Sequence, residues 1–221
     1  MTVASDVELL ALLVCLRERS PNIDTITTVL GRDKIKPIQN RVSTLRAKLG
    51  VGSDGEELLP LARSGRGAQG RYRVSRLVMT DVELLEHRYQ CSLSLPSQEA
   101  LVVLRDGLAL MAGPAFRARK GFDWAVPEGV QSRVASIVNA YAARLMELAV
   151  ESDQLDLVVE AARCAGRVID DPVAEVPMRR LEREYAEATG NPELWAAVAE
   201  ATRRLGIYAE ETDRLVPDDE F

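Results

Sequence analysis

Residues 40–75, NRVSTLRAKLGVGSDGEELLPLARSGRGAQGRYRVS, are the stretch that decides the fold. The stretch begins with a short amphipathic helical pattern that ends at Gly50, and it continues through two glycine-rich breaks. The segments LLPLAR and RYRVS have the composition of β-strands, and SGRGAQG separates them. The stretch therefore predicts a helix followed by a two-stranded wing.

The helix in this stretch is predicted to begin at Pro37, because a proline suits a first helical position, where its missing N–H would be unpaired in any case. At about 100° per residue, one edge of about 60° collects the apolar residues Ile38, Val42, Leu45 and Leu49. The opposite face is small and polar and is flanked by charge. It comprises Lys36, Asn40, Ser43, Thr44 and Ala47, with Arg41 and Lys48 on one flank and Gln39 and Arg46 on the other.

Such a face has the chemistry to enter the major groove of DNA. Asn and Gln pair with adenine, Ser and Thr pair with several bases, and flanking Arg and Lys neutralise phosphates. The predicted DNA-binding residues are Lys36, Gln39, Asn40, Arg41, Ser43, Thr44, Arg46 and Lys48 on the helix, and Arg63, Arg66, Arg71 and Arg73 on the hairpin. An ordinary solvent-exposed helix is the alternative if the helix is considered without the hairpin.

Helical patterns flank this stretch on both sides. Two short helices, 7–19 and 24–30, precede it in the order of a helix-turn-helix. Beyond it the pattern is almost wholly helical, in segments 81–93, 97–111, 127–152, 155–169, 173–189 and 192–205. We therefore predict a mainly α protein. We predict a winged helix-turn-helix with a β-hairpin wing in residues 1–78 and a tetratricopeptide-like helical domain in residues 79–221.

The length and composition agree with two domains, and the two parts of the chain differ in net charge. The chain has 221 residues, of which 47% are hydrophobic and 5% aromatic, and such a composition suits helix-on-helix packing. Residues 1–76 carry 13 basic and 8 acidic side chains, whereas the remainder carries 15 basic and 26 acidic ones. Nucleic acid is therefore expected to approach the N-terminal part only. An ordinary solvated surface is the simpler interpretation of the acidic part.

Several other kinds of site are not predicted. The three scattered cysteines are typical of reduced thiols, and His87 has no neighbouring ligands at metal-binding spacing, so we expect no metal, no cofactor and no enzyme. The paired Asp170 and Asp171 precede a proline, where a capping role explains them. GRGAQG lacks the Lys-Ser/Thr of a phosphate-binding loop. Without a signal peptide or membrane span, the sequence predicts a cytoplasmic chain that does not insert into the membrane.

Aromatic residues are concentrated in one irregular connection. The stretch 114–127 contains Phe116, Phe122 and Trp124, and we expect these rings to attach the connection to the core. A partner-binding edge is the alternative, because Arg117, Arg119 and Lys120 lie beside them. Trp195 lies at core spacing on a helix with Leu194 and Val198, and it is predicted to be packed.

The order of these segments resembles the actinobacterial antibiotic regulatory family, in which a winged helix precedes a bacterial transcriptional activator domain. NRVSTLRAKLG is similar to the recognition-helix segment of that family. GRYRVSRLVMTD is similar to the end of the wing and to the Asp that opens the helical domain. LRDGLALMAGPAF, Trp124, DDPVAEVPMRRLEREYAEATGN and ETDRL are similar to parts of the activator domain.

The run LGVGSDGEELLP resembles most the cytoplasmic C-terminal region of large membrane-anchored proteins with the same two domains. In that setting the chain is a fragment of a longer protein. The resemblance implies a DNA-binding regulator of the activator type, with double-stranded DNA as partner and a helical domain that binds itself or another protein. The alternative is a protein-interaction module of a membrane-anchored signalling protein whose winged helix does not bind DNA. The acidic balance favours this alternative, as does Ala47, which offers a base only a methyl group.

Overall fold

The computed structural model describes residues 4–62, 70–116, 121–169 and 171–205. Within these ranges the chain forms nine α-helices and three short 3₁₀ helices, so the predicted mainly α class is confirmed. The α-helices are α1 (Ala4–Cys15), α2 (Ile23–Val29), α3 (Ile35–Leu49), α4 (Asp81–Ser92), α5 (Ser97–Gly107), α6 (Val130–Glu151), α7 (Leu155–Val168), α8 (Pro172–Thr189) and α9 (Pro192–Leu205). The 3₁₀ helices are Arg17–Arg19, Leu108–Leu110 and Asp123–Ala125.

The described residues fall into two compact units. The first unit contains the described residues up to Thr80 and the segment 116–130, without 117–120. The second unit contains residues 81–115 and the described residues from 131 onward. The predicted boundary between domains, at residues 78 and 79, stays a prediction.

The core of the first unit is built by α1, α2 and α3. Leu12 of α1, Ile26 of α2 and Ile38 of α3 are buried in a single apolar cluster, to which Leu59 and Val74 of the following segments also belong. α2 begins where it does because the side chain of Asn22 accepts a hydrogen bond of 2.8 Å from the backbone N–H of Thr25. Both α1 and α2 pack against α3, which fixes the side of α3 that faces inward.

The predicted β-hairpin wing is wrong, because the described residues of this region contain no strand. Two backbone N–H groups of this region donate to carbonyl groups outside a ladder. The N–H of Ser75 donates to the carbonyl of Leu58 at 2.8 Å, and the N–H of Tyr72 donates to the carbonyl of Pro21 at 2.9 Å. Two isolated bridges, Asn22 with Arg71 and Val51 with Glu57, replace the ladder. The tip of the predicted hairpin, 63–69, lies outside the described residues.

In the second unit, α6 is hydrogen-bonded to two other helices. Tyr141 of α6 is buried, and its hydroxyl donates to the carbonyl of Leu104 in α5 at 2.6 Å. Asn139, half a turn earlier, donates to the carbonyl of Ala174 in α8 at 2.6 Å. These two bonds tie α6 to α5 and to α8, and α7 packs against both α8 and α9.

Capping residues set the limits of the last helices. The side chain of Asp171 accepts a hydrogen bond of 3.0 Å from the N–H of Val173, which confirms the predicted capping role of Asp171; Asp170 lies outside the described residues. Gly190 ends α8 with a φ of 64°, a left-handed conformation that favours glycine. The helices α6 to α9 have 22, 14, 18 and 14 residues, so they do not repeat a unit of fixed length. The tetratricopeptide-like arrangement stays a prediction.

The aromatic connection packs onto the core of the first unit, as its composition predicts. Phe122 and Trp124 are buried in the same cluster as α1, and Phe116 contacts both, with ring centroids 5.2 and 5.9 Å away. Residues 117–120, which hold the three basic residues of the alternative, lie outside the described residues. The prediction for Trp195 is wrong. Trp195 is 41% exposed, because its neighbour Leu194 occupies the inward direction on α9.

Candidate nucleic-acid interface

The position of α3 follows from its apolar edge. Ile38, Val42 and Leu45 are each at most 4% exposed, as the helical spacing predicts, and Leu49 packs against the same cluster. The helix begins at Ile35, two residues before the predicted start, so Pro37 lies within the first turn, where its missing N–H costs no hydrogen bond. Burial of this edge turns the opposite face of α3 outward.

The outward face carries the side chains predicted to contact bases. Gln39, Asn40, Ser43 and Thr44 are all exposed, and so is Lys36 at the beginning of the helix. The hydroxyl of Ser43 donates to the carbonyl of Gln39 at 3.1 Å, and that of Thr44 donates to the carbonyl of Asn40 at 3.0 Å. Since both hydroxyl protons are used within the helix, the oxygens offer acceptor positions to a ligand, while Asn40 and Gln39 offer both donors and acceptors.

The basic flanks of α3 have partners inside the first unit. Nε of Arg46 donates to the carbonyl of Leu59 at 2.9 Å, and Lys48 forms an ion pair with Asp6 of α1. Arg41 is half-buried, and its positive charge acts on the carboxylate of Glu8. Arg46 thus ties α3 to the segment that follows it, and Lys48 pairs with α1. Of the predicted basic contacts on the helix, Lys36 has no ion pair with a described residue.

The carboxyl group of Glu8 is buried beside α3. Burial raises its pKa above the ordinary value of 4.5, the positive charges of Arg32 and Arg41 oppose the rise, and Asp123 adds to it. Gly121 accommodates the group, since a Cβ there would lie 2.8 Å from the carboxyl carbon of Glu8. The first unit therefore holds an acidic group that ionises less readily than an exposed carboxyl group.

Replacing Glu8 with Gln is expected to change how stability depends on pH. A carboxyl group whose pKa is higher in the folded chain contributes its stability below the unfolded pKa of 4.5, and this contribution is lost as pH rises through the folded pKa. Glu8→Gln should therefore gain stability relative to the wild type as the pH rises above 4.5. Urea unfolding followed by the fluorescence of Trp124, in a Trp195→Phe background, measures this. Glu18→Gln removes one exposed acidic group as a control, and an equal gain in both variants would contradict the prediction.

Arg71 and Arg73, two of the four arginines predicted for the wing, do not lie in a hairpin loop. Arg71 lies beside Ser20 and donates to its carbonyl at 3.4 Å, and Nε of Arg73 donates to the hydroxyl of Ser20 at 2.9 Å. Both side chains are exposed, and both lie at the turn that precedes α2. Arg63 and Arg66 lie outside the described residues.

Ser20 was missed at the sequence level. It has a left-handed backbone with φ of 46°, and its buried hydroxyl accepts a hydrogen bond from Arg73. A serine that precedes Pro21 gives only a weak signal for this role, because its partner is 53 residues away in the chain.

No family model matches the sequence, and the comparisons with curated proteins and with solved structures found no match. None of the described helices combines the length and the apolar character needed to cross a membrane.

Proposed function

We propose that the chain is a DNA-binding transcriptional regulator of the activator type its sequence resembles, in which α3 lies in the major groove. The observation that carries the proposal is the division of α3 into two faces. Ile38, Val42 and Leu45 are buried, whereas every predicted base-contacting side chain is exposed. An exposed row of Gln, Asn, Ser and Thr offers base edges the donors and acceptors that discriminate between them.

The basic residues divide into two roles. Lys36 is exposed at the beginning of α3 and contacts a phosphate, together with the exposed Arg71 and Arg73. Arg46 positions the helix through its bond to Leu59, and the half-buried Arg41 offsets the charge of Glu8. Lys48 exchanges Asp6 for a phosphate at little cost, because an exposed ion pair contributes about 0–1 kcal/mol.

Alanine variants of α3 test this proposal after a selection of the full chain against random duplexes. Asn40→Ala is expected to lower the affinity for the selected duplex by about 1–3 kcal/mol and to relax the preference at one base pair. Lys36→Ala is expected to weaken binding to all duplexes and to reduce the slope of log K against log salt by about one, since one phosphate contact is lost. Electrophoretic mobility shifts at several salt concentrations measure both effects.

Arg76→Ala is the matched control, because Arg76 is an exposed cation of the first unit that pairs with Glu18 outside α3. Its affinity and salt slope should equal those of the wild type. The proposal fails if the wild-type chain binds no duplex at low salt, or if the control lowers affinity as much as Lys36→Ala.

A protein-interaction module is the second candidate, and a separate observation favours it. Val51, Leu61, Leu77 and Met79 of the first unit are between 48% and 66% exposed. Apolar side chains at this exposure are typical of surfaces that bind proteins when they form a continuous patch. If no duplex is bound, Leu61→Ser and Leu77→Ser should reduce self-association in analytical ultracentrifugation, whereas the DNA proposal predicts that these variants bind DNA as the wild type does.

A further inference from the structure

The second unit contains a small cavity between α7, α8 and α9. Its volume is about 190 Å³, below the roughly 300–1,000 Å³ of pockets for drug-sized ligands, so it suits a ligand of few atoms. Four arginines line it, together with Glu182 and Glu200. The arginines are Arg163 and Arg167 of α7, Arg179 of α8 and Arg204 of α9.

Buried ion pairs hold the inner side of this cavity in place. Arg179 bonds to Glu175 at 2.6 Å and to Oε2 of Glu182 at 2.6 Å, and Arg204 also pairs with Glu175. Gly166 of α7 leaves room for them, because a Cβ there would lie 2.6 Å from both Nη2 of Arg179 and Oε1 of Glu175. Arg179 and Arg204 are thus already paired with buried carboxylates.

Glu182 lines the cavity and has one buried oxygen without a hydrogen-bond partner among the described residues. Its side chain is 1% exposed, and although Oε2 is bonded to Arg179, Oε1 receives no hydrogen bond from any described residue. Burial raises the pKa of Glu182 against the opposing charge of Arg179, while Glu175 adds to the rise and Arg163 opposes it. An acceptor in this position gains strongly from a charged donor.

Arg163 and Arg167 provide the complementary group. They are four residues apart on α7, so their side chains are neighbours on one face of the helix. Both are exposed, and within the described part of the chain neither has a hydrogen bond or an ion pair. Paired guanidinium groups of this kind bind a carboxylate.

We propose that this cavity binds a small zwitterion with the chemistry of a free amino acid. Its carboxylate pairs with Arg163 and Arg167, and its ammonium group donates to Oε1 of Glu182. The site lies within the second unit and does not depend on DNA binding.

Titration of the full chain with each common free amino acid in a calorimeter tests the proposal. At least one amino acid is expected to bind. The double variant Arg163→Ala, Arg167→Ala should lower the affinity for this amino acid roughly tenfold or more, because the charge-assisted pair is lost. Both arginines are exposed, so the variant is expected to fold. Glu182→Gln should weaken binding as well, because the amide carries less negative charge toward the ammonium group. Circular dichroism first establishes that this variant is folded.

Arg180→Ala is the matched control, since Arg180 is an exposed arginine of α8 that does not line the cavity. It should leave the affinity unchanged. Succinate and inorganic phosphate serve as anions without an ammonium group. If either binds as tightly as the best amino acid, the role of Glu182 is wrong. If no amino acid binds, or if binding survives the double arginine variant, the proposed site is wrong.

Discussion

Gly107→Ala is expected to lower the free energy of unfolding of the second unit by about 3 kcal/mol, because it forces a methyl group into a filled core. A Cβ at this position would lie 1.9 Å from the hydroxyl oxygen of Tyr141 and 2.7 Å from its Cζ. The ring of Tyr141 is buried and its hydroxyl bonds to the carbonyl of Leu104, so it cannot move away without leaving that carbonyl unpaired. Urea unfolding followed by circular dichroism measures the loss.

Gly113→Ala is the control for Gly107→Ala, because Gly113 is a glycine of the same unit, six residues further along the chain. A Cβ at Gly113 has no atom within 4 Å, and the residue does not have a positive φ. This substitution should be neutral or stabilise by up to about 1 kcal/mol, since alanine reduces the entropy of the unfolded chain. Equal effects of the two substitutions would show that the close approach of Gly107 to Tyr141 does not limit the packing.

Helices of this chain were predictable because local chemistry marks their ends. α9 was predicted at residues 192–205, as observed, since Asn191 caps it through bonds of 2.8 Å to the N–H of Glu193 and 3.1 Å to that of Leu194. Gly190 before it has the positive φ that a helix end requires. Such signals act within a few residues, so a sequence reports them faithfully.

The wing was not predictable for the opposite reason. The segment RYRVS has the composition of a strand, but composition does not specify a partner. In the structure the N–H of Tyr72 bonds to Pro21, about fifty residues earlier, and Pro60 in the other arm has no N–H to give. The arms still approach at one point, where a Cβ on Gly70 would lie 2.8 Å from Cβ of Ala62, but the described residues form no ladder there.

The candidate interface shows the same division. The periodicity of α3 identified the outward face correctly, because the apolar residues recur at helical spacing. It could not show that the flanking cations have internal partners. Lys48 pairs with Asp6, 42 residues away, and Arg46 bonds to Leu59 in the following segment. Charge on a helix predicts where a ligand can approach, whereas long-range contacts decide which charges remain available.

Trp124→Ala is expected to lower the free energy of unfolding of the first unit by about 3–5 kcal/mol, the usual cost of removing a large buried aromatic ring. Trp124 is 4% exposed and lies 5.9 Å from the ring of Phe116 and 6.1 Å from that of Phe122. Its loss leaves a cavity against α1 and separates the segment 121–130 from the core. Thermal unfolding followed by circular dichroism gives the stability, and hydrogen exchange of 121–130 shows whether this segment is released.

Two further variants distinguish lost packing from other effects. Nε1 of Trp124 is buried and donates to no described residue. Trp124→Phe therefore removes an unpaired N–H along with part of the ring, and it should lower the free energy of unfolding much less than Trp124→Ala does. Val126→Ala changes a side chain of the same segment that is 62% exposed, and it should alter stability by no more than about 0.5 kcal/mol. If Trp124→Ala and Val126→Ala behave alike, the aromatic cluster does not hold this segment on α1. If Trp124→Phe lowers the free energy of unfolding as much as Trp124→Ala does, the indole makes a polar contact that contributes more than its packing.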